Sequence, residues 1–314
     1  MSAAPRLSIG LAVYNGENYL AESLDALLGQ SYEDFELIIS DNASTDGTAG
    51  ICRRYAERDS RIRFIRQPQN IGLAPNHNFV ARQARGELFK WASHDDLYAR
   101  DLLQRCVEAL DENPHVVLAH SWTALVDDSG AVVKQLEYPL DTASPRVPER
   151  FRSMLFADGG DDVYGVIRAD VLRRTALHGS HHHADRTITT EFALQGPFYQ
   201  VPDWLYFRRD HPEREERACP TLRTRCANMD PRRADRWRHP AARLYGEYIL
   251  AYVTAIRRAP LSPADRRECY SYLAEWATSR ILPRRAPQTQ EPAPPAHPVI
   301  SADTVVVGRE RRPL

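Results

Sequence analysis

The chain has 314 residues, 43% of them hydrophobic, with 41 basic and 42 acidic side chains and a formal net charge of -1. It is long enough for a substantial core, and its composition excludes a wholly disordered, collagen-like or single-span membrane protein. The near-zero charge argues against nucleic-acid binding by general phosphate neutralisation, so no nucleic-acid partner is expected.

The start, MSAAPRLSIGLAVYN, lacks a leader-like apolar run, and no later stretch approaches the about 18 apolar residues of a membrane span. A cytoplasmic protein is expected, with the inner face of the membrane as a surface it visits. Cys52, Cys106, Cys219, Cys226 and Cys269 are scattered without a metal-type spacing and read as reduced thiols.

Leu7, Ile9, Leu11 and Val13 mark a strand ending at Tyr14-Asn15-Gly16. Asn18 is placed to cap a helix whose Leu20, Leu24, Leu27 and Leu28 share a face. A strand over 35–40 runs into the polar loop 41–47, and Ile51 and Tyr55 mark the next helix. A strand over 62–65, a helix over 75–84 and a strand over 87–92 continue the alternation. This order predicts an α/β fold with a mostly parallel central sheet flanked by helices, its functional loops at the carboxyl ends of the strands.

A helix over 97–110, a strand over 116–120, the turn 127–130 and a strand over 131–136 follow. Pro145 and Pro148 bracket a linker; a helix over 151–156, a strand over 164–167, a helix over 170–175, a polar loop over 178–183, a helix over 185–194 and a strand over 204–207 come next. Asp158, Gly159, Gly160, Asp161 and Asp162 read as a flexible acceptor-side loop. Residues 208–238 hold 10 Arg against 6 Asp or Glu. Helices over 241–257 and 263–280 form a C-terminal helical extension. Six prolines between 283 and 298 predict a flexible tail. The expected division is 1–215 catalytic, 216–282 helical accessory and 283–314 tail.

The acidic loops at the sheet edge carry the chemistry. Asp41 follows one strand and Asp95-Asp96 another, so distant positions converge on one ligand. Carboxylates there suit ribose hydroxyls or a divalent ion held against a diphosphate. From the residues alone, Asp41, Asp46, Asp95 and Asp96 read also as ordinary turn and cap groups. No dinucleotide glycine fingerprint, phosphate-binding P-loop or Gly-X-Ser-X-Gly elbow occurs.

The strings AVYNGENYLAESLDALLGQSYEDFELIISDNASTDGT and GELFKWASHDDL resemble the front half of family 2 glycosyltransferases, whose A-type fold is Rossmann-like and binds nucleotide sugars. The motif order extends over about residues 7–211. The resemblance implies that Ala12, Tyr14 and Asn15 border the base pocket, that Asp41 or Asn42 contacts the nucleoside, and that Asp95 holds Mg2+ or Mn2+ and the diphosphate. Relatives often carry two aspartates where this chain has Asp41-Asn42, and their Asp-X-Asp reads Ser93-His94-Asp95 here. Ser93 then contributes a hydroxyl in place of a charge, and His94 either touches phosphate or is structural.

Asp185, at the start of a helix, is the implied general base, effective within about 2.6–3.2 Å of the acceptor hydroxyl; Glu191 is the alternative base, and from the residues alone Asp185 reads equally as a helix cap and Glu191 as half of an ordinary ion pair. Arg208 and Arg209 are placed to neutralise the diphosphate or to pair with neighbouring acids, and His211 to order a phosphate or metal shell. His178, His181, His182 and His183 read as an acceptor-facing loop rather than a zinc site. Trp91, Trp122, Trp204 and Tyr164 serve packing or sugar stacking.

The expected reaction is inverting transfer of a sugar from a nucleotide-sugar donor to a hydroxyl of a glycan, lipid-linked or small-molecule acceptor, in cell-envelope glycan synthesis. The rivals are a sugar-nucleotide nucleotidyltransferase and a non-catalytic nucleotide-sugar-binding protein. Arg214, Arg217, Arg223, Arg225, Arg232, Arg233, Arg236 and Arg238 form either a solvated basic face or one that approaches anionic lipid in peripheral membrane association.

Overall fold

The computed structural model describes residues 4–136, 140–157, 162–212 and 214–281. Its first unit alternates strand and helix: β1 (Leu7–Val13), α1 (Leu20–Leu28), β2 (Phe35–Asp41), α2 (Thr48–Arg58), β3 (Ile62–Arg66), α3 (Leu73–Gln83) and β4 (Leu88–Ala92). β1 and β2 are buried along their whole length, as expected of strands covered on both faces. Leu7, Ile9, Leu11 and Val13 pack with Leu20, Leu24 and Leu27 of α1, whereas Ile38, Phe89 and Trp91 face Val80 of α3 on the other side. The period-two alternation therefore assigns each strand residue to one of two helical layers.

Asn18 does not cap α1. Tyr19 occupies the cap position and no side chain accepts there, because the preceding turn is closed by the backbone amides of Tyr19 and Leu20 bonding to Gly16 O.

With β5 (Leu97–Tyr98), β6 (Leu118–Val126), β7 (Val132–Leu136), β8 (Val166–Arg168) and β9 (Phe198–Arg209), the sheet order is β3-β2-β1-β4-β8-β6-β9-β5, and β7 is paired to β6. β3, β2, β1 and β4 are parallel, as are β6 and β9. β8 joins the two parallel groups antiparallel to both β4 and β6, and β7 adds a hairpin.

The expected helix from residue 97 starts later. Leu97 and Tyr98 form β5, antiparallel to Phe207 and Tyr206, and α4 is Leu102–Glu112. The physical reason is the Tyr98 hydroxyl, which donates to Ser93 O and accepts from Ser93 N, both at 3.0 Å. The apolar pair is spent on clamping a loop before the helix begins. β9 also runs well beyond the expected residues 204–207, pairing from Phe198 onward along β6 with two register shifts.

α5 (Val147–Phe156) starts earlier than the linker reading allowed, with Pro148 in its first turn, where the missing amide costs no helical hydrogen bond. α6 (Ala169–Arg173) and α7 (Ala184–Gln195) complete the layer beside α3. Buried Arg150 of α5 donates to Ala193 O near the end of α7 and to Ser144 O, each at 2.7 Å, so one guanidinium satisfies two carbonyls and pins the helices together.

α8 (Glu215–Ala218), α9 (Leu222–Met229), α10 (Ala241–Arg258) and α11 (Pro263–Ile281) follow. Tyr248, Tyr252, Ile256, Leu273 and Trp276 share a core with Phe151, Leu155 and Leu194, so α10 and α11 are packed onto α5 and α7. Asp162 is corrected: it is buried with its carboxylate 3.2 Å from His120 Nδ1, not part of an open loop. The rest of the Gly159-Gly160 segment and the proline-rich tail lie outside the described residues. No helix among the described residues is long and apolar enough to cross a membrane.

Candidate functional site

The aligned carboxyl ends of β1, β2 and β4 form one edge, where Val13 stands opposite Asp41 and Leu11 opposite Ala92. The loops leaving β1 and β2 are laced together. Asn15 N donates to Ser44 Oγ at 2.9 Å, Thr45 N to Asn15 Oδ1 at 2.9 Å and Gly16 N to Thr48 Oγ1 at 2.8 Å. Asp46 accepts from the amides of Glu17 and Thr48, which is a turn and helix-start role. Asn15 has φ 50°, a conformation asparagine tolerates better than most residues.

Above this edge lies an open cleft of about 760 Å³. Ala12, Tyr14, Asn15, Ser93 and Asp95 line it from the strand edge, and Asp185, Arg208 and His211 line it from the second half of the chain. Gly16 and His94 also line it. A Cβ on Gly16 would stand 2.4 Å from His94 Cδ2, so the glycine leaves the space that the His94 ring fills.

Asp95 is the most strongly organised carboxylate of the cleft. Its Oδ2 lies 2.9 Å from His211 Nε2, and its Oδ1 accepts from Ser93 Oγ. Burial on its own would raise its pKa. The positive fields of His94 and Arg214 and the hydrogen bonds from His211 and Ser93 outweigh that and hold it below the ordinary carboxylate range. Asp96 diverges from its neighbour: its oxygens accept from the Tyr206 hydroxyl and from Arg209 N, the latter at 3.0 Å.

Three of the sequence-derived candidates sit outside the cleft lining. Asp41 is fully buried, accepting from Ser44 N at 2.9 Å, with Arg66 Nε 3.1 Å from its other oxygen. Asn42 uses its amide inside the 70–72 loop, donating to Asn70 Oδ1 and Gly72 O and accepting from Ile71 N. Arg209, expected at the diphosphate, is 1% exposed and turned inward. It donates to Asp95 O at 3.0 Å, Asp128 O at 2.6 Å and Glu22 Oε2 at 2.6 Å, and lies over the Tyr19 ring. A guanidinium with several donors in a fixed fork can hold three chain segments at once, which a single carboxylate partner would not require. Arg209 is therefore a positioning residue for the Asp95 loop.

Asp185 is exposed in the first turn of α7, immediately after His183, whose φ of 55° sets the sharp entry to the helix. Glu191 is corrected as an alternative base: it is buried away from the cleft, accepting from Ala176 N at 3.0 Å and facing Arg258. The loop before α7 is less solvent-facing than its four histidines suggest. His178, His181 and His182 are buried, and the His182 ring lies 4.4 Å from that of Tyr248.

A side pocket of about 170 Å³ opens beside Asp185, with Trp91, His77 and His178 in its lining. Desolvation lowers His77 to about 4, helped by His94, and drives His178 well below the ordinary histidine range, so both rings are neutral at pH 7. Trp122 and Trp204 pack on each other, 5.1 Å between ring centroids, and line neither cavity.

Among the described residues, no group of three or more His, Cys, Asp or Glu side chains converges as a metal-binding set. The Asp95–His211 pair nevertheless fits a divalent ion that takes its remaining ligands from a diphosphate and water: it offers one carboxylate and one imidazole at the cleft wall, with His211 Nδ1 buried and without a hydrogen-bond partner. Sequence reasoning did not find His77, Gly16 or the inward role of Arg209, since none carries a local spacing signal.

The profile described as Glycosyl transferase family 2 matches residues 8–177, more than half of the chain. The putative glycosyltransferase EpsE of Bacillus subtilis is 35% identical over 131 residues, which are 41% of this chain and 47% of that protein. The matches span about half the length of the curated relatives. In fold, S. aureus TarS 1-349 in complex with UDP-GlcNAc superposes with a TM-score of 0.61 at 19% identity, covering 87% of this chain and 71% of that one. The mannosyltransferase PcManGT of Pyrobaculum calidifontis, in complex with GDP-Man and Mn2+, gives 0.51 at 20% identity over 90% of this chain and 89% of its own.

Proposed function

The chain belongs to glycosyltransferase family 2, and from that premise we propose that it transfers a sugar, with inversion, from a nucleoside diphosphate sugar to an acceptor hydroxyl. The observation that carries the reading is that the Asp95–His211 pair and the exposed Asp185 line one and the same cleft. A donor lying along the strand edge then has its diphosphate at Asp95 and His211 and its sugar toward Asp185. The nucleotide sugars bound by TarS and PcManGT support this donor class.

Asp185 accepts the proton of the acceptor hydroxyl as that oxygen attacks the anomeric carbon; the bond to the diphosphate oxygen breaks and the nucleoside diphosphate leaves from the opposite face. Arg208 and His211 meet the negative charge that accumulates on the leaving group, while Arg209 keeps the Asp95 loop in place. Mg2+ or Mn2+, held by Asp95 and His211, would supply Lewis-acid stabilisation of the diphosphate. Tyr14, Asn15 and Ala12 border the nucleoside. Asp41 and Asn42 act on it indirectly, through the loops they brace. Residues 1–215 form the transferase unit in this reading and 216–282 an accessory helical layer.

Incubation of the protein with a panel of nucleotide sugars, divalent ions and mixed cell-envelope acceptors, read by mass spectrometry, tests the reading. A new glycoside with release of nucleoside diphosphate supports it. Release of pyrophosphate would assign the chain to nucleotidyl transfer instead, and binding without any product would make it a sensor.

A further inference from the structure

α10 is apolar on two faces. Its inner stripe, Tyr248, Tyr252, Ala255 and Ile256, is buried against α5, α7 and α11, and Leu244 is buried in the first turn. Its outer stripe runs through Tyr245, Gly246, Ile249 and Leu250, at the three- and four-residue spacing of a single helical face. Tyr245 is 54% exposed, Ile249 36% and Leu250 57%, and nothing lies within 4 Å of a Cβ built on Gly246. A contiguous exposed apolar patch marks a contact surface.

The chemistry around the stripe specifies what covers it. At its head, Trp237 is 83% exposed, with the Arg236 guanidinium over its ring. Arg238 is 84% exposed and is tied to the first turn of α10 by a 2.7 Å hydrogen bond from Arg243 to its carbonyl. Arg257 is exposed at the foot of the same face. Residues 222–258 contain nine arginines and three carboxylates. An amphipathic ring at the margin, aliphatic side chains along the middle and an excess of arginine match the interface of an anionic bilayer, where aliphatic groups enter the acyl boundary and guanidinium groups meet lipid phosphates.

We propose that the outer face of α10, with Trp237, docks this protein on an anionic membrane surface. The face adjoins the cleft: the Tyr245 ring lies 5.5 Å from that of His182, next to His183, which lines the cleft with Asp185. A bilayer held there would present lipid-borne hydroxyl acceptors at the Asp185 side. Docking itself needs no turnover, so it stands or falls separately from the transfer reading.

The test is co-sedimentation of the full chain with vesicles of phosphatidylglycerol mixed with phosphatidylcholine, and with phosphatidylcholine alone. The wild type should sediment with the anionic vesicles and not with the neutral ones, less so at high salt. Y245S/I249S/L250S should bind about tenfold more weakly or worse, and R236E/R238E should lose the anionic preference. Thermal melting and nucleotide-sugar binding, measured on each variant, show that it has folded; W237S serves as a single-site check should the triple variant not fold. Absence of vesicle binding, or binding that these variants leave unchanged, would overturn the proposal. So would a wild-type dimer that the stripe variant converts to monomer, which would assign the face to a second copy of the chain.

Discussion

The strand-edge half and the helical half of the cleft are held in place by different means. Ala12, Asn15 and Ser93 sit at or just beyond strand ends whose positions are set by parallel ladders, and their loops are laced by backbone-to-side-chain bonds across short distances. Asp185 arrives on a helix pinned by a side chain that reaches a carbonyl far away in sequence, Arg150 to Ala193 O, and Arg208 and His211 arrive at the end of β9, where Arg209 reaches across to Asp95 O. A ladder tolerates loss of one side chain, because its backbone bonds remain. A junction made by one guanidinium does not, since removing it strands several acceptors at once. The strand-edge half should thus fail by losing binding chemistry, and the helical half by losing either the proton acceptor or the geometry.

The largest expected effect is at Asp185. Asp185→Asn should lower transfer about 10²–10⁴-fold while nucleotide-sugar affinity stays within about twofold. Isothermal titration beside product analysis separates the two quantities. Unchanged turnover removes Asp185 as the base, and an equal loss of donor binding would erase the contrast between the halves.

Asp95→Asn should act on the other half, weakening nucleotide-sugar binding and its response to Mg2+ or Mn2+ and lowering transfer by about 10²–10³-fold. The substitution keeps the shape but removes the charge that His211 and Ser93 are arranged to hold. A binding curve that still shifts with the divalent ion as in the wild type would contradict the assignment.

Arg209→Met tests the single-guanidinium junction. It leaves the carbonyls of Asp95 and Asp128 without their donor in a part-buried setting, and denaturant unfolding should show a loss of about 1–3 kcal/mol. Had Arg209 been a diphosphate ligand, as its position beside Arg208 suggests in sequence, the same substitution would weaken donor binding with little effect on stability.

These contrasts explain what was legible in the sequence. The β1–β4 unit was readable because period-two and helical spacings are local signals, and Leu7–Val13 was delimited by its own apolar run. β5 was missed because a two-residue strand leaves no alternation to read and its pairing depends on Phe207 and Tyr206, more than a hundred positions away. For the site, the loop positions of Asp95 and Asp185 could be placed from strand and helix ends. The burial of Asp41 and the occupation of Asn42 by the 70–72 loop could not, because both follow from contacts with Arg66, Asn70 and Ile71 that no spacing encodes. Arg208 and Arg209 are adjacent in chain and alternate across β9, so one reaches the cleft and the other the interior.

The smallest expected effect is on pH dependence, and it probes the seam between the halves, where His77 of α3 meets His178 of the loop before α7, their rings 5.1 Å apart. Burial keeps both neutral in the folded protein, with His77 lowered to about 4, whereas in the unfolded chain each protonates near 6.5. Between those values the unfolded state binds more protons than the folded one, so stability is full above about pH 6.5 and declines as the pH falls toward 4. Below that, both states hold a proton on His77 and its share of the slope ends. His77→Gln should therefore flatten the decline of the unfolding midpoint between pH 6.5 and 4 without altering stability at pH 8 by a comparable amount. An identical slope in the variant would mean that this histidine is solvated in the folded protein and that the seam is open to water.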